Sequence, residues 1–339
     1  MSSIVEPFVP AKRTSVLERL RPLLMRGLLF DGLFVATPLL AFTVIAVFCL
    51  PRVPGQPFLQ GMGTTPGWLA FGAAVLTFAH INATVSRSHL NRDVLARFRF
   101  RLIAVPVLVT LSFWASTPWF LFGSAVAILW DEYHSVMQTF GFGRIYDSKL
   151  GNDPLVGRRL DLGMCFVQEW LPFYIAISGF ALAESEHLTS AVPWHKEHGL
   201  MAPAWLNRPL IFVSIGYTIF YVLSYVRLAR RGYRISPLKI ALFTSTCVAN
   251  VLALSLYTLY EANVMGNIYH AMMYLAILTV SEKRSLTKRL SLDGLKLGAF
   301  VAFGILFVVS ILGGFVRLVS ERDGPPLLLA FWLTTSLMH

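Results

Sequence analysis

Ten apolar stretches, each bounded by charged or turn-forming residues, govern what this chain can become. They run at about 27–50, 67–87, 102–116, 118–142, 161–183, 208–228, 237–257, 259–281, 295–318 and 325–339. Crossing about 30 Å of hydrocarbon at about 1.5 Å per residue takes roughly 20 residues in a helix. The stretches do not alternate with period two, which argues against a transmembrane β-barrel. Hydrophobic residues make up 55% of the chain and charged residues 14%. A soluble domain carries about 45–50% and about 25%, so soluble, disordered and fibrous classes are excluded. The expected fold is all-α and polytopic, a bundle of about 9–10 transmembrane helices. The third stretch turns into the fourth at Ser116-Thr117-Pro118, and the tenth is too short for a full span.

Charge orders these spans. Basic residues precede the first (Lys12, Arg13, Arg19, Arg21, Arg26) and follow the second (Arg87 to Arg101), fourth (Arg144 to Arg159), sixth (Arg227 to Arg234) and eighth (Lys283 to Arg289). Every second loop is therefore basic, which predicts a cytoplasmic N-terminus by the positive-inside rule. The net charge of +11 follows from these loops and forms no basic stripe on a soluble face, so no nucleic-acid partner is expected. The expected location is a bacterial inner (plasma) membrane, with membrane lipids as neighbours. Residues 1–26 read as a basic cytoplasmic segment and 27–339 as one transmembrane domain, without internal repeats. No small-residue cleavage site ends the first apolar run. Cys49, Cys165 and Cys247 all lie in apolar runs, a pattern of neither a disulfide framework nor a zinc ribbon.

Ionisable residues inside spans cost about 2.5–3.5 kcal/mol on insertion scales, so each is a functional candidate. In the second span Thr77, His80 and Thr84 share a helical face. In the fourth, Asp131, His134 and Gln138 do, beside Trp130, Glu132 and Tyr133. The fifth carries Gln168 and Glu169, the eighth Asn263, Asn267 and His270, and the chain ends in His339. Counting at about 1.5 Å per residue puts His80, His134, His270 and His339 roughly 16–24 Å below the outer surface. Glu169 falls at a similar depth. Imidazole and carboxylate together suit iron, manganese or zinc. Asp-x-x-His on one helix parallels the Glu-x-x-His geometry of helical di-metal bundles. The expected metal ligands are His80, His134, His270, His339 and Asp131. Asp131, Tyr133 and Glu169 are the expected catalytic residues, and Gln138 and Asn267 would orient the imidazoles.

Other polar residues receive plainer readings. His89 lies in the basic loop at the interface, where Arg97, Arg99 and Arg101 interleave with Phe98 and Phe100 as a headgroup belt. His187, His195 and His198 belong to an outer polar loop. Asp31 would snorkel at the end of the first span, and Glu261 would be solvated at the outer turn. Residues 138–147 continue the fourth span into the cytoplasm.

A membrane bundle with histidines gathered toward its cytoplasmic half resembles the integral-membrane non-haem iron enzymes, which include fatty-acid desaturases and hydroxylases and carotene-cleaving oxygenases. The desaturase boxes His-x-x-x-His and His-x-x-His-His are missing from this sequence, so the resemblance is architectural and assigns no residue. With the buried candidates it implies an iron-dependent oxidoreductase acting on a lipid or another hydrophobic small molecule, served by an electron donor. Two further functions fit the same residues. One is a proton-coupled transporter using the buried His, Asp and Glu as a relay. The other is a haem electron carrier with two imidazole ligands.

Overall fold

A computed structural model describes residues 24–52, 64–177, 204–323 and 326–338. The predicted ligand His339 and the loop histidines His187, His195 and His198 lie outside the described residues. A helix forms in each of the ten apolar stretches. In chain order these are α1 (Leu28–Phe48), α2 (Gly67–Ser88), the interfacial α3 (Arg92–Arg99), α4 (Val105–Ala115), α5 (Thr117–Lys149), α6 (Arg158–Ile177) and α7 (Asn207–Arg230). There follow α8 (Pro237–Leu256), α9 (Leu259–Ser281), the short α10 (Lys283–Arg289), α11 (Gly298–Asp323) and α12 (Pro326–Met338). Seven of them, α1, α2, α6, α7, α8, α9 and α11, contain a segment long and apolar enough to cross a membrane. These seven helices point to an integral membrane protein.

The local sequence sets the boundaries. Ser116 caps α5, its hydroxyl accepting from Trp119 N at 3.4 Å, with proline in the first turn. Proline suits that place because its missing N–H would have no helical partner there. At 33 residues, α5 is about 50 Å long at about 1.5 Å per residue, well beyond the hydrocarbon. The run 138–147 continues this helix without a break to Lys149. Between α8 and α9, Thr258 and Glu261 form a reciprocal capping box, which satisfies two otherwise orphaned N–H groups.

Packing is arranged for lipid outside and small residues inside. On α7 only Ser214 and Tyr225 are buried, while Phe212, Phe220 and Leu223 point outward. In water such a surface would aggregate. In a bilayer it is the lipid face. The inward face of α8 carries Ser245, Thr246, Ala249, Asn250 and Ala253, all buried. Small residues at this spacing let neighbouring backbones approach closely, and α8 packs on α1, α5 and α6. The face of α11 at Ser310, Gly313 and Gly314 meets α2 in the same way. Asn82 Nδ2 donates to Ser310 Oγ at 3.0 Å, and a Cβ on Gly313 would meet the Phe78 ring at 2.7 Å.

The basic ends of the helices collect at one end of the bundle. Lys239 on α8 reaches Asp147 on α5 at 2.7 Å, and Arg144 reaches Asp161 on α6 at 2.7 Å. Tyr146 on α5 donates to Asp31 on α1 at 3.0 Å. Asp31 does not snorkel: it is fully buried and also accepts from the backbone N–H groups of Met25, Arg26 and Gly27, tying the chain ahead of α1 to the bundle. At the opposite end Glu261 is buried rather than solvated. It accepts from Thr64 N at 2.8 Å and Thr64 Oγ1 at 2.9 Å. Four donors, counting Thr258 N and Oγ1, surround the carboxylate and offset the cost of its burial.

Candidate metal centre

Three helices distant in sequence bring His80, His134 and His270 together. α9 lies against α2 and touches α5. The ring centroids are 4.9 Å apart for His80–His270 and His134–His270, and 5.9 Å for His80–His134. One nitrogen from each imidazole can be chosen so that all three lie within 4.8 Å of one another. Around an ion with bonds of about 2.1 Å, imidazole nitrogens stand about 3–3.5 Å apart, so small rotamer shifts would close the set. His80 is 3% exposed, and the other two are partly buried.

The neighbouring turns hold this arrangement. Gln138, one turn after His134, donates from Nε2 to the backbone carbonyl of His270 at 2.9 Å. This fixes the register of α5 against α9, so Gln138 positions the helix that carries an imidazole rather than the imidazole itself. Tyr274, one turn after His270, lies edge-on to His80 with centroids 4.2 Å apart. Its hydroxyl accepts from Thr84 Oγ1 at 3.3 Å and from Arg87 at 3.4 Å. Asn267 donates to Asn263 at 2.8 Å.

A cavity of about 260 Å³ adjoins the histidines. His80 and His270 line it, as do Asp131 and Glu132 of α5, Asn263 and Asn267 of α9, and Ser336 of α12. With 13 residues, α12 is about 20 Å long at about 1.5 Å per residue, too short to span, and Ser336 in its last turns reaches this cavity. Asp131 thus shares the cavity with two of the histidines but stands outside the tight three-histidine group.

Glu169 is fully buried on α6 and reaches the site only through intermediaries. Ser135 Oγ donates to its Oε2 at 2.7 Å, and the Tyr269 hydroxyl stands 2.9 Å from that Oγ. Ser135 and Tyr269 each adjoin a site histidine in sequence, and both line the cavity. Tyr133 sits elsewhere. It is 38% exposed, with its ring against Trp130 and Phe166. The 100° step per residue that turns His134 inward turns Tyr133 toward the lipid. Trp130 and Phe78 do not line the cavity either. Trp130 is 42% exposed, and Phe78 packs on Trp332.

A second polar assembly, at the basic end, combines residues that sequence reasoning left apart. Lys239 Nζ donates to Asp147 Oδ2 at 2.7 Å and to the Tyr225 hydroxyl at 2.9 Å, and lies 3.3 Å from Asp161 Oδ1. Arg144 bridges the same two carboxylates and donates to the carbonyls of Pro154 and Val156 at 2.9 and 3.0 Å. Tyr221 and Tyr225 donate to Asp161 Oδ1. In the turn after α7, burial and the Asp147 carboxylate push the Tyr233 phenol above its usual value. Two cations face two anions, so this assembly clamps α5, α6, α7 and α8. A sequence signal existed: Asp161 and Lys239 each occupy the first turn of a span, where an unpaired charge is costly.

His89 Nε2 lies 3.1 Å from the Leu102 carbonyl and its Nδ1 2.9 Å from Ser88 Oγ. α3 has no buried residue and carries Arg92, Arg97 and Arg99, in keeping with a helix at the headgroups.

No protein-family model matches the chain, and no curated protein or solved structure shows significant similarity to it.

Proposed function

We propose that the chain is an integral-membrane metalloenzyme, a non-haem iron-dependent oxidoreductase acting on a lipid or another hydrophobic small molecule. One observation carries the reading: three imidazoles from three helices converge inside an apolar bundle, their nitrogens within 4.8 Å of one another. Three imidazoles gathered around one point form a donor set that suits a transition metal. Three neutral nitrogens leave coordination positions open for a substrate or an oxidant. Asp131 and Glu132, on the wall of the adjoining cavity, supply carboxylates for a further ligand or for proton transfer. Glu169, through Ser135 and Tyr269, extends the polar path away from the cavity. The metal when bound would supply the redox chemistry, and the cavity walls would orient the substrate and exclude bulk water.

Three converging rings favour a single ion over a haem, whose macrocycle must pass between its two axial imidazoles. The same group in a proton-coupled transporter would serve as a relay, the second reading that Asp131, Glu132 and Glu169 keep open. The proposed setting is a bacterial inner membrane, with about 9–10 spans and the basic end of the bundle, including the N-terminal segment, in the cytoplasm. Electrons would come from a separate donor.

Elemental analysis with visible spectroscopy on detergent-purified protein tests this reading. Stoichiometric iron without a Soret band is expected. A Soret band would make the protein a haem carrier. Protein that takes up no transition metal even on reconstitution overturns the enzyme reading and leads to proton-flux assays in liposomes. Topology is tested with a cysteine placed in the 187–198 loop, expected to label from outside the cell.

A further inference from the structure

We propose that an open pocket between the start of α6 and the end of α7 binds the phosphate-bearing headgroup of an anionic membrane lipid. The pocket measures about 820 Å³ and is lined by four arginines, Arg158 and Arg159 from α6 and Arg227 and Arg231 from α7 and its C-cap, with Ser224 and Leu155 beside them. Among the described residues, none of the four guanidinium groups forms an ion pair or a hydrogen bond. The nearest buried carboxylate on α6, Asp161, is already matched by Arg144 and Lys239. Four like charges around one concavity repel each other unless an anion neutralises them.

Basic residues at a helix end are ordinary in a membrane protein. What differs here is their convergence from two helices onto one cavity. A guanidinium fork matches two phosphate oxygens, which makes arginine the preferred partner of phosphate. The N-terminal end of α6, a helix of 20 residues, adds the positive end of its dipole. Ser224 contributes a hydroxyl. Four cations suffice for a headgroup carrying more than one phosphate.

The surroundings select a lipid over a free anion. Leu155, on the pocket wall, is 71% exposed, and Val222, Leu223 and Val226 form an outward apolar face on the last turns of α7. A phosphate seated on the arginines has its acyl chains placed along that face. Basic pockets of this kind between transmembrane helices recognise acidic lipid headgroups.

The test is thermal unfolding of the full chain in a zwitterionic detergent. Phosphatidylglycerol, phosphatidylcholine and inorganic phosphate are added in turn at equal phosphate concentration. Phosphatidylglycerol should raise the unfolding midpoint, less so at high salt, while the other two leave it unchanged. In the double variant Arg227→Gln/Arg231→Gln the midpoint without lipid should be retained and the response to phosphatidylglycerol lost. If that variant does not fold, Arg158→Gln/Arg159→Gln reads the same pocket from the other helix. Equal stabilisation by inorganic phosphate would make this a free-anion site, and equal stabilisation by phosphatidylcholine would make the effect one of acyl chains. A full phosphatidylglycerol response in the double variants would place the binding elsewhere. Each of these overturns the proposal, as does the absence of any response.

Discussion

Tyr274 and His80 meet edge to face, their ring centroids 4.2 Å apart at 70°. The contact couples α9 to α2 at the level of the histidines, and the Tyr274 hydroxyl extends it by accepting from Thr84 and Arg87. Tyr274→Phe keeps the ring and should cost about 1 kcal/mol of stability with metal uptake retained. Tyr274→Ala removes the wall against which His80 rests. It should weaken metal binding about 10–100-fold, as loss of an outer support does. Competition against a chelator reads both variants.

If the three histidines hold one ion, they should respond to mutation as one set. His80→Ala, His134→Ala and His270→Ala should each abolish stoichiometric metal, with near-UV circular dichroism unchanged. Acidification should release the metal, because imidazole must be neutral to ligate. Tyr133→Phe is the internal control. Its ring lies against Trp130 and Phe166 on the outer face, so metal content should stay at the parental level. Full occupancy in any of the three alanine variants would remove that residue from the site.

The clamp at the basic end predicts a different signature. Asp161→Asn leaves Arg144 and Lys239 facing a single carboxylate, Asp147. Breaking a buried ion set from one side costs about 3–5 kcal/mol. Thermal unfolding in detergent should show a large drop in midpoint, while metal stoichiometry per folded protein is kept. A variant that lost metal with no loss of stability would connect the clamp to the metal centre instead.

These outcomes bear on what the sequence carries. The helices and their basic end were legible because apolar length and loop charge act locally. His80, His134 and His270 were legible as a layer, since depth follows from counting residues along a span. Rotation was harder to read. Tyr133 looked equivalent to His134 until the packing of α5 on α6 and α9 set which face turns inward. Asp31 and Glu261 lie near span ends, where a carboxylate reads as solvated. Their partners, Tyr146 and Thr64, come from elements whose adjacency no local pattern encodes. The Lys239–Asp161 pairing has the same origin. Tyr274 carried a weak signal, one turn beyond His270, and its value depends on α2 being next to α9.

A close seam joins α11 to α2, the helix that carries His80. On α11, Gly313 and Gly314 let the helix approach α2 closely. A Cβ at Gly313 would sit 2.7 Å from the Phe78 ring, and one at Gly314 would sit 3.1 Å from Val75. Phe78 is 5% exposed and also meets the Trp332 ring edge to face, with centroids 4.9 Å apart, so it has little room to yield. Gly313→Leu therefore forces the two helices apart. Overpacking of this kind costs about 1–3 kcal/mol, and the displaced element is α2, which carries His80 two residues beyond Phe78. Metal affinity and stability should fall together in Gly313→Leu. At Gly304 a Cβ meets nothing within 4 Å, so Gly304→Leu should leave both unchanged. Unfolding midpoints and metal content of the two variants, measured side by side, check the seam; parental metal affinity in Gly313→Leu would show that α11 does not hold His80 in place.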